Sequence, residues 1–154
     1  MLAWVCDLIV ASEDAFFQDP VNPLMGIPGV EYFAHAYELP PRVAKEFLLL
    51  GERMSAARAH SFGMVNKIVP RDDLRDAVTA WANKLAGQGR LGNWLTKQAV
   101  NHVEELRGKS AAMTAVYHMH HFAHAQNDLT TGSSIGGVTG KSAAAANKQD
   151  TKPA

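Results

Sequence analysis

Beyond Pro70 the sequence falls into three successive segments whose apolar residues recur at helical spacing, and this periodicity constrains the fold more than any other feature. Leu74, Ala77, Val78, Trp81 and Leu85 share one helical face, with Pro70, Asp72 and Asp73 as the start signal and Gly87 and Gly89 as the stop. Leu91 to Leu106 repeats the pattern through Leu95, Ala99, Val100, Val103 and Leu106. Ser110 to about Asn127 carries Met113, Val116, Tyr117 and His120 in a last long helix. The second half of the chain is therefore helical.

The first seventy residues read differently. Leu8 to Ala11 and Ala15 to Phe17 are short apolar runs split by Ser12-Glu13-Asp14, the pattern of two buried strands joined by a tight turn. A loop is expected from Asp19 to Gly29, and a helix from Val30 to Tyr37. Arg42 to Leu50 is a strong helix, with Pro41 at its permitted first-turn position and Gly51 as its stop. Ser55 suits the cap of a short helix through Phe62, ended by Gly63, and Val65 to Val69 suits a strand. Residues 131–154 are mostly Gly, Ser, Thr, Ala, Lys and Asn without an apolar face, so a disordered tail is expected. The organisation read from these signals is an α/β core over residues 1–70, a helical region over 71–130 and a tail over 131–154.

Charge and cysteine content narrow the function. Fifteen basic residues balance fifteen acidic ones, so the chain lacks the positive excess that holds nucleic acid or anionic lipid. Cys6 is the single cysteine, and it sits in an apolar run, where an inert core thiol in a reducing, cytoplasmic compartment is the natural reading. The opening MLAWVCDLIV is broken by Asp7 and is neither a signal peptide nor a membrane span. It begins directly in core-like sequence, which suggests a missing front half. Trp4, Val5, Ile9 and Phe16 lack polar masking, so exposed apolar surface is expected there.

Several chemical motifs fail on inspection. Gly136 to Ser142 lacks the first glycine of a phosphate loop, because Ile135 stands where it is needed. No G-x-S-x-G nucleophile elbow occurs. His120 and His124 have the i, i+4 spacing of a two-imidazole site, but no carboxylate lies among the four histidines of that helix, so a half-buried polar face explains them and no metal is assigned. Glu31 follows the Pro28-Gly29 turn among Val30, Tyr32 and Phe33. Burial in that setting would raise a carboxyl pKa toward a proton-transfer role, and a first-turn helix acid is the competing explanation.

The order CDLIVASEDAFFQDP, GIPG, LLLGERMSAARAHSFGMVNKIVP and LTKQAVN resembles the enoyl-CoA hydratase/isomerase, or crotonase, family from Met1 to about Asp128. The resemblance implies the C-terminal part of a ββα spiral, predominantly helical in this chain. It further implies acyl-CoA substrates with coenzyme A as part of the substrate rather than a cofactor, an enolate-like intermediate, and a homo-oligomer, a trimer or dimer of trimers. Two backbone amides hold the enolate oxygen in such enzymes, each worth ~2.7–4 kcal/mol, and both would precede Met1. By ungapped matching the two glutamates usual in hydratases fall at Met1 and Val21, neither of which can carry a proton. Glu31, close to an acidic position used by some members, is then the acid/base candidate, Ile27, Pro28 and Gly29 shape the acyl pocket, and Phe122 matches a terminal-helix aromatic that touches coenzyme A. A noncatalytic truncated module that oligomerises through its helical end is the alternative.

Overall fold

The computed structural model of the chain describes residues 2–29 and 32–149. After a 3-10 turn over Leu2–Val5, the elements in order are β1 (Val10–Ser12), β2 (Phe16–Phe17), α1 (Val21–Met25), α2 (His35–Glu38), α3 (Pro41–Leu50), β3 (Met54–Ser55), α4 (Ala56–Ser61), β4 (Lys67–Val69), a second 3-10 turn over Arg71–Asp73, α5 (Leu74–Ala86), α6 (Arg90–Leu106), α7 (Lys109–Thr131) and α8 (Gly140–Gln149). The chain divides into two compact units, one drawn from Met1–Ala15 and Ser55–Ala112, the other from Phe16–Met54 and Met113–Ala154.

In the first unit β1 and β4 pair in parallel, Val10 opposite Lys67, Ala11 opposite Ile68 and Ser12 opposite Val69. Asn66 sets this register from one end: its amide donates to the Ile9 carbonyl at 2.9 Å, and its side-chain oxygen accepts the Ile9 amide at 2.7 Å. The Glu13 amide closes the other end on the Val69 carbonyl at 2.9 Å. α4 lies against β4 and α5 against β1, and the core they cover includes Trp4, Ala11, Ala56, Ala59, Met64, Val65 and Val69. Each fully buried branched side chain of this kind contributes ~1.5–3 kcal/mol.

Local signals decide both ends of α3 and the start of α4. Pro41 occupies the first turn of α3 without loss, since that amide has no partner in any helix, and Gly51 ends α3 at φ 65°, a left-handed conformation that costs glycine little. The Ser55 hydroxyl accepts the Arg58 amide at 3.2 Å and caps α4.

Other expectations are corrected. The turn between Ser12 and Ala15 forms, with the Ala15 amide on the Ser12 carbonyl at 3.0 Å, but its two strands do not pair with each other: β1 takes β4, and β2 takes β3. The Asp19 to Gly29 stretch is more than a loop, because α1 forms within it and ends on Gly26 in the left-handed region. The helix expected from Val30 to Tyr37 reduces to α2 from His35, and Val30 lies outside the described residues. Cys6 is exposed rather than a core thiol. Trp4 is buried, while Val5 and Phe16 are exposed as expected.

In the tail, where disorder is expected, α8 forms. Thr139 and Ser142 start it by a reciprocal cap, the Ser142 amide on Thr139 Oγ1 at 3.1 Å and the Thr139 amide on Ser142 Oγ at 2.9 Å, and alanines from Ala143 to Ala146 continue it. No residue of α8 that can be assigned a burial is buried, which agrees with the tail having no apolar face. α6 likewise leaves Leu91, Trp94, Leu95, Val100, Val103 and Leu106 exposed, so the apolar face visible in its sequence is not covered.

Candidate functional site

The second unit concentrates its buried polar groups around the segment that follows β2. Pro20 has no amide hydrogen, so Val21 presents the first free amide of α1, and Asp19 Oδ1 accepts it at 3.1 Å. The other oxygen of the same carboxylate, Oδ2, accepts Nε2–H of His35 at 3.2 Å. Asp19 is 6% exposed and His35 1%. The imidazole packs on two aromatic rings, Phe33 at a centroid distance of 4.8 Å and Phe47 at 6.1 Å. A buried carboxylate is tolerated only when its oxygens are satisfied, and here each oxygen has a donor from a different part of the chain.

This pair closes a loop, because Asp19 and His35 stand sixteen positions apart and the chain between them carries Ile27, Pro28 and Gly29. Ile27 is fully buried, Pro28 half-buried and Gly29 buried. Gly29 has φ 56°, and a Cβ there would stand 3.1 Å from two ring carbons of Phe33 and 3.5 Å from Leu48 Cδ2. Glycine is thus required twice over, by backbone conformation and by the approach of the ring. α1 is fixed against the end of α3 nearby: Gln18 Nε2 donates to the Gly51 carbonyl at 2.8 Å. α7 adds a further tie, with Asn127 Nδ2 donating to the Met25 carbonyl at 2.7 Å just before Gly26.

The sequence-derived site residues fare unevenly. Ile27, Pro28 and Gly29 sit in one turn, with Ile27 and Gly29 buried and Pro28 half-buried. Val21, where the family's second glutamate would fall, opens α1 and brings no carboxylate. Glu31 and Met1 lie outside the described residues. Phe122 is on α7 and is 72% exposed. Sequence reading missed Asp19 and His35. The signal was available in part: both are polar, titratable residues set in apolar stretches, FFQDP and YFAHAYEL, where a solvated role is unnatural.

A model of the family described as Enoyl-CoA hydratase/isomerase matches residues 1–136. The putative enoyl-CoA hydratase EchA13 of Mycobacterium tuberculosis is 42% identical over 135 residues, which cover 88% of this chain and 42% of that protein. Among solved structures, a probable enoyl-CoA hydratase from Mycobacterium smegmatis is similar at 40% identity and a TM-score of 0.83, over 86% of this chain and 53% of the other. One from Mycobacterium thermoresistibile is similar at 42% identity with the same TM-score and coverage. The chain spans about half the length of the relatives it matches, or less.

Proposed function

Because the chain belongs to the enoyl-CoA hydratase/isomerase, or crotonase, family and has its α/β fold, we propose that the protein acts on acyl-CoA thioesters through a stabilised enolate. Ile27, Pro28 and Gly29 form a wall of the acyl pocket, and Glu31 moves a proton to or from the carbon next to the thioester. The observation that supports this reading best is the turn itself, with Ile27 fully buried and Gly29 held against Phe33 and Leu48. A wall packed in this way can hold an acyl chain in one orientation, and orientation is what a proton transfer at carbon requires.

Glu31 stands two residues beyond Gly29 in the sequence. A single carboxyl group suffices for the proton transfer that hydration of a double bond and its isomerisation have in common. Val21 cannot add a second. Coenzyme A is part of the substrate in this reading, no separate cofactor is needed, and Phe122 is open to contact the nucleotide end.

Glu31→Gln, made in this chain joined to the N-terminal part of a family relative so that backbone donors for the enolate oxygen are present, tests the assignment, since it keeps size and hydrogen bonding while removing the titrating group. Turnover of an enoyl-CoA, followed by loss of the conjugated thioester absorbance, should fall by ~10²–10⁴ with KM little changed. An unchanged rate removes Glu31 from the chemistry.

A second reading rests on a separate observation. The uncovered row on α6, with Leu106 75% and Leu91 67% exposed, supports self-association of the chain through that helix. A homo-oligomer fits both an enzyme and a noncatalytic oligomerisation module. Multi-angle light scattering combined with the turnover assay on that joined protein separates them, because a noncatalytic module associates without turning over thioester. No helix among the described residues is long and apolar enough to cross a membrane.

A further inference from the structure

α7 carries four histidines, His118, His120, His121 and His124, which the proposed thioester chemistry does not use. The fold brings two of them into direct ring contact. Nε2 of His120 and Nε2 of His124 lie 3.0 Å apart, with the rings crossing at 70°. His121 is turned instead onto Tyr117, at a centroid distance of 4.3 Å, and His118 is exposed.

The protonation pattern of the pair follows from its neighbours. His124 Nδ1 lies 2.7 Å from the Ser134 carbonyl. A carbonyl cannot donate, so Nδ1 carries the hydrogen, and Nε2 of the neutral ring holds a lone pair. His120 Nε2 must then donate into that lone pair. The turn supplying the Ser134 carbonyl is itself folded back on the helix, since Thr131 Oγ1 reaches both the Asn127 carbonyl at 2.8 Å and the Ser133 carbonyl at 3.1 Å. A histidine whose Nδ1–H is fixed by a backbone carbonyl, leaving a directed Nε2 lone pair beside another imidazole nitrogen, has the outer-shell support typical of a metal ligand.

We infer that His120 and His124 form a two-histidine site for a borderline transition-metal dication such as Zn²⁺ or Ni²⁺, with water in the remaining positions. Nitrogens bound at about 2.0–2.1 Å to a tetrahedral ion stand about 3.3–3.4 Å apart, so from the observed 3.0 Å the two nitrogens must separate slightly and both rings must turn until their lone pairs meet at the ion rather than at each other. The proton that now bridges the two nitrogens moves to Nδ1 of His120, so the neutral pair binds the ion without net proton release. His120 is 5% exposed and anchors the site, whereas His124 is half-buried and lets solvent ligands in. The His121 ring also lies 5.7 Å from His120 and 6.1 Å from His124, but among the described residues no three His, Cys, Asp or Glu side chains are arranged to hold a metal ion together, so the protein supplies two ligands and no carboxylate. Hard cations that require oxygen ligands, Mg²⁺ and Ca²⁺, are excluded from such a site.

The test is calorimetric titration of the full chain, carrying no histidine tag and stripped with chelator, first with Zn²⁺ and then with Ni²⁺. One ion per chain should bind, unaffected by excess Mg²⁺. His124→Gln, at a half-exposed position that does not endanger folding, should weaken binding roughly tenfold or more because one of the two nitrogens is gone. His120→Gln, with folding checked by circular dichroism, should do the same. The double variant His118→Gln/His121→Gln should titrate as the parent does. Absence of saturable binding overturns the site, as does a His124→Gln chain that binds as well as the parent or a loss of binding confined to the double variant.

Discussion

The two units each hold an aspartate paired with a basic side chain, and the pairs differ in almost every physical respect. In the first unit Asp14 meets Arg71 in the open, with side chains 48% and 72% exposed. In the second, Asp19 meets His35 with side chains 7% and 1% exposed, walled by Phe33 and Phe47. The exposed pair gains little from its attraction, since water and salt screen it and the bulk already solvates both groups. The buried pair stands on the opposite terms. Desolvation of both groups makes its net gain small, yet removal of one partner strands the other and costs far more than the contact contributed. A chain that places such a pair at the two ends of one loop couples the conformation of that loop to the integrity of the core, and the loop here is the one bearing Ile27, Pro28 and Gly29.

Substitutions put the contrast in order. His35→Leu has the largest expected effect, because it leaves the Asp19 carboxylate buried with one oxygen unanswered; a loss of ~3–5 kcal/mol is expected from chemical denaturation. His35→Gln, able to keep a donor toward Oδ2, should recover part of that loss. If His35→Leu cost no more than loss of an ordinary surface pair, the distinction between the two units would fail.

An uncharged hydrogen bond in the first unit supplies the intermediate yardstick. Ser55→Ala removes the hydroxyl that caps α4 and should cost ~1 kcal/mol in the same measurement, with no dependence on salt.

The smallest effect belongs to Asp14. Its carboxyl is held below the usual carboxylate range, first by the Ser12 hydroxyl and then by Arg71. A group whose folded-state pKa is depressed adds stability above its unfolded value and loses it as pH falls through the folded value. Asp14→Asn should therefore flatten the acid limb of a melting-temperature profile below about pH 4. At neutral pH it should change stability at the edge of detection. A large neutral-pH loss for Asp14→Asn would erase the contrast from the other side.

Legibility in the sequence followed the range of the interaction. Pro41, Gly51 and Ser55 announced the bounds of α3 and α4 because each acts on its own turn of backbone, and the apolar spacing of α5 and α6 likewise expresses only their own geometry. The burial implied by that spacing was less secure, as the exposed row on α6 shows. The site was half visible. The residue order around GIPG pointed to Ile27, Pro28 and Gly29, whereas the apolar surroundings of Asp19 and His35 hinted at burial of each but not at their pairing, since nothing local links a carboxylate to an imidazole sixteen positions away.

By itself the sequence determined the family, the helical second half and the turn chemistry, all of which depend on neighbours along the chain. Only the tertiary structure decided that β1 pairs with a strand starting fifty-seven positions later, that Trp4 is buried and Cys6 exposed, and that the Ser134 carbonyl orients His124 toward His120. The i, i+4 spacing set those two histidines on one helical face, but the tautomer and the direction of the lone pair came from a carbonyl beyond the helix. Hydrogen bonds and burial join whatever the fold brings within reach, and reach in space is not encoded by distance along the chain.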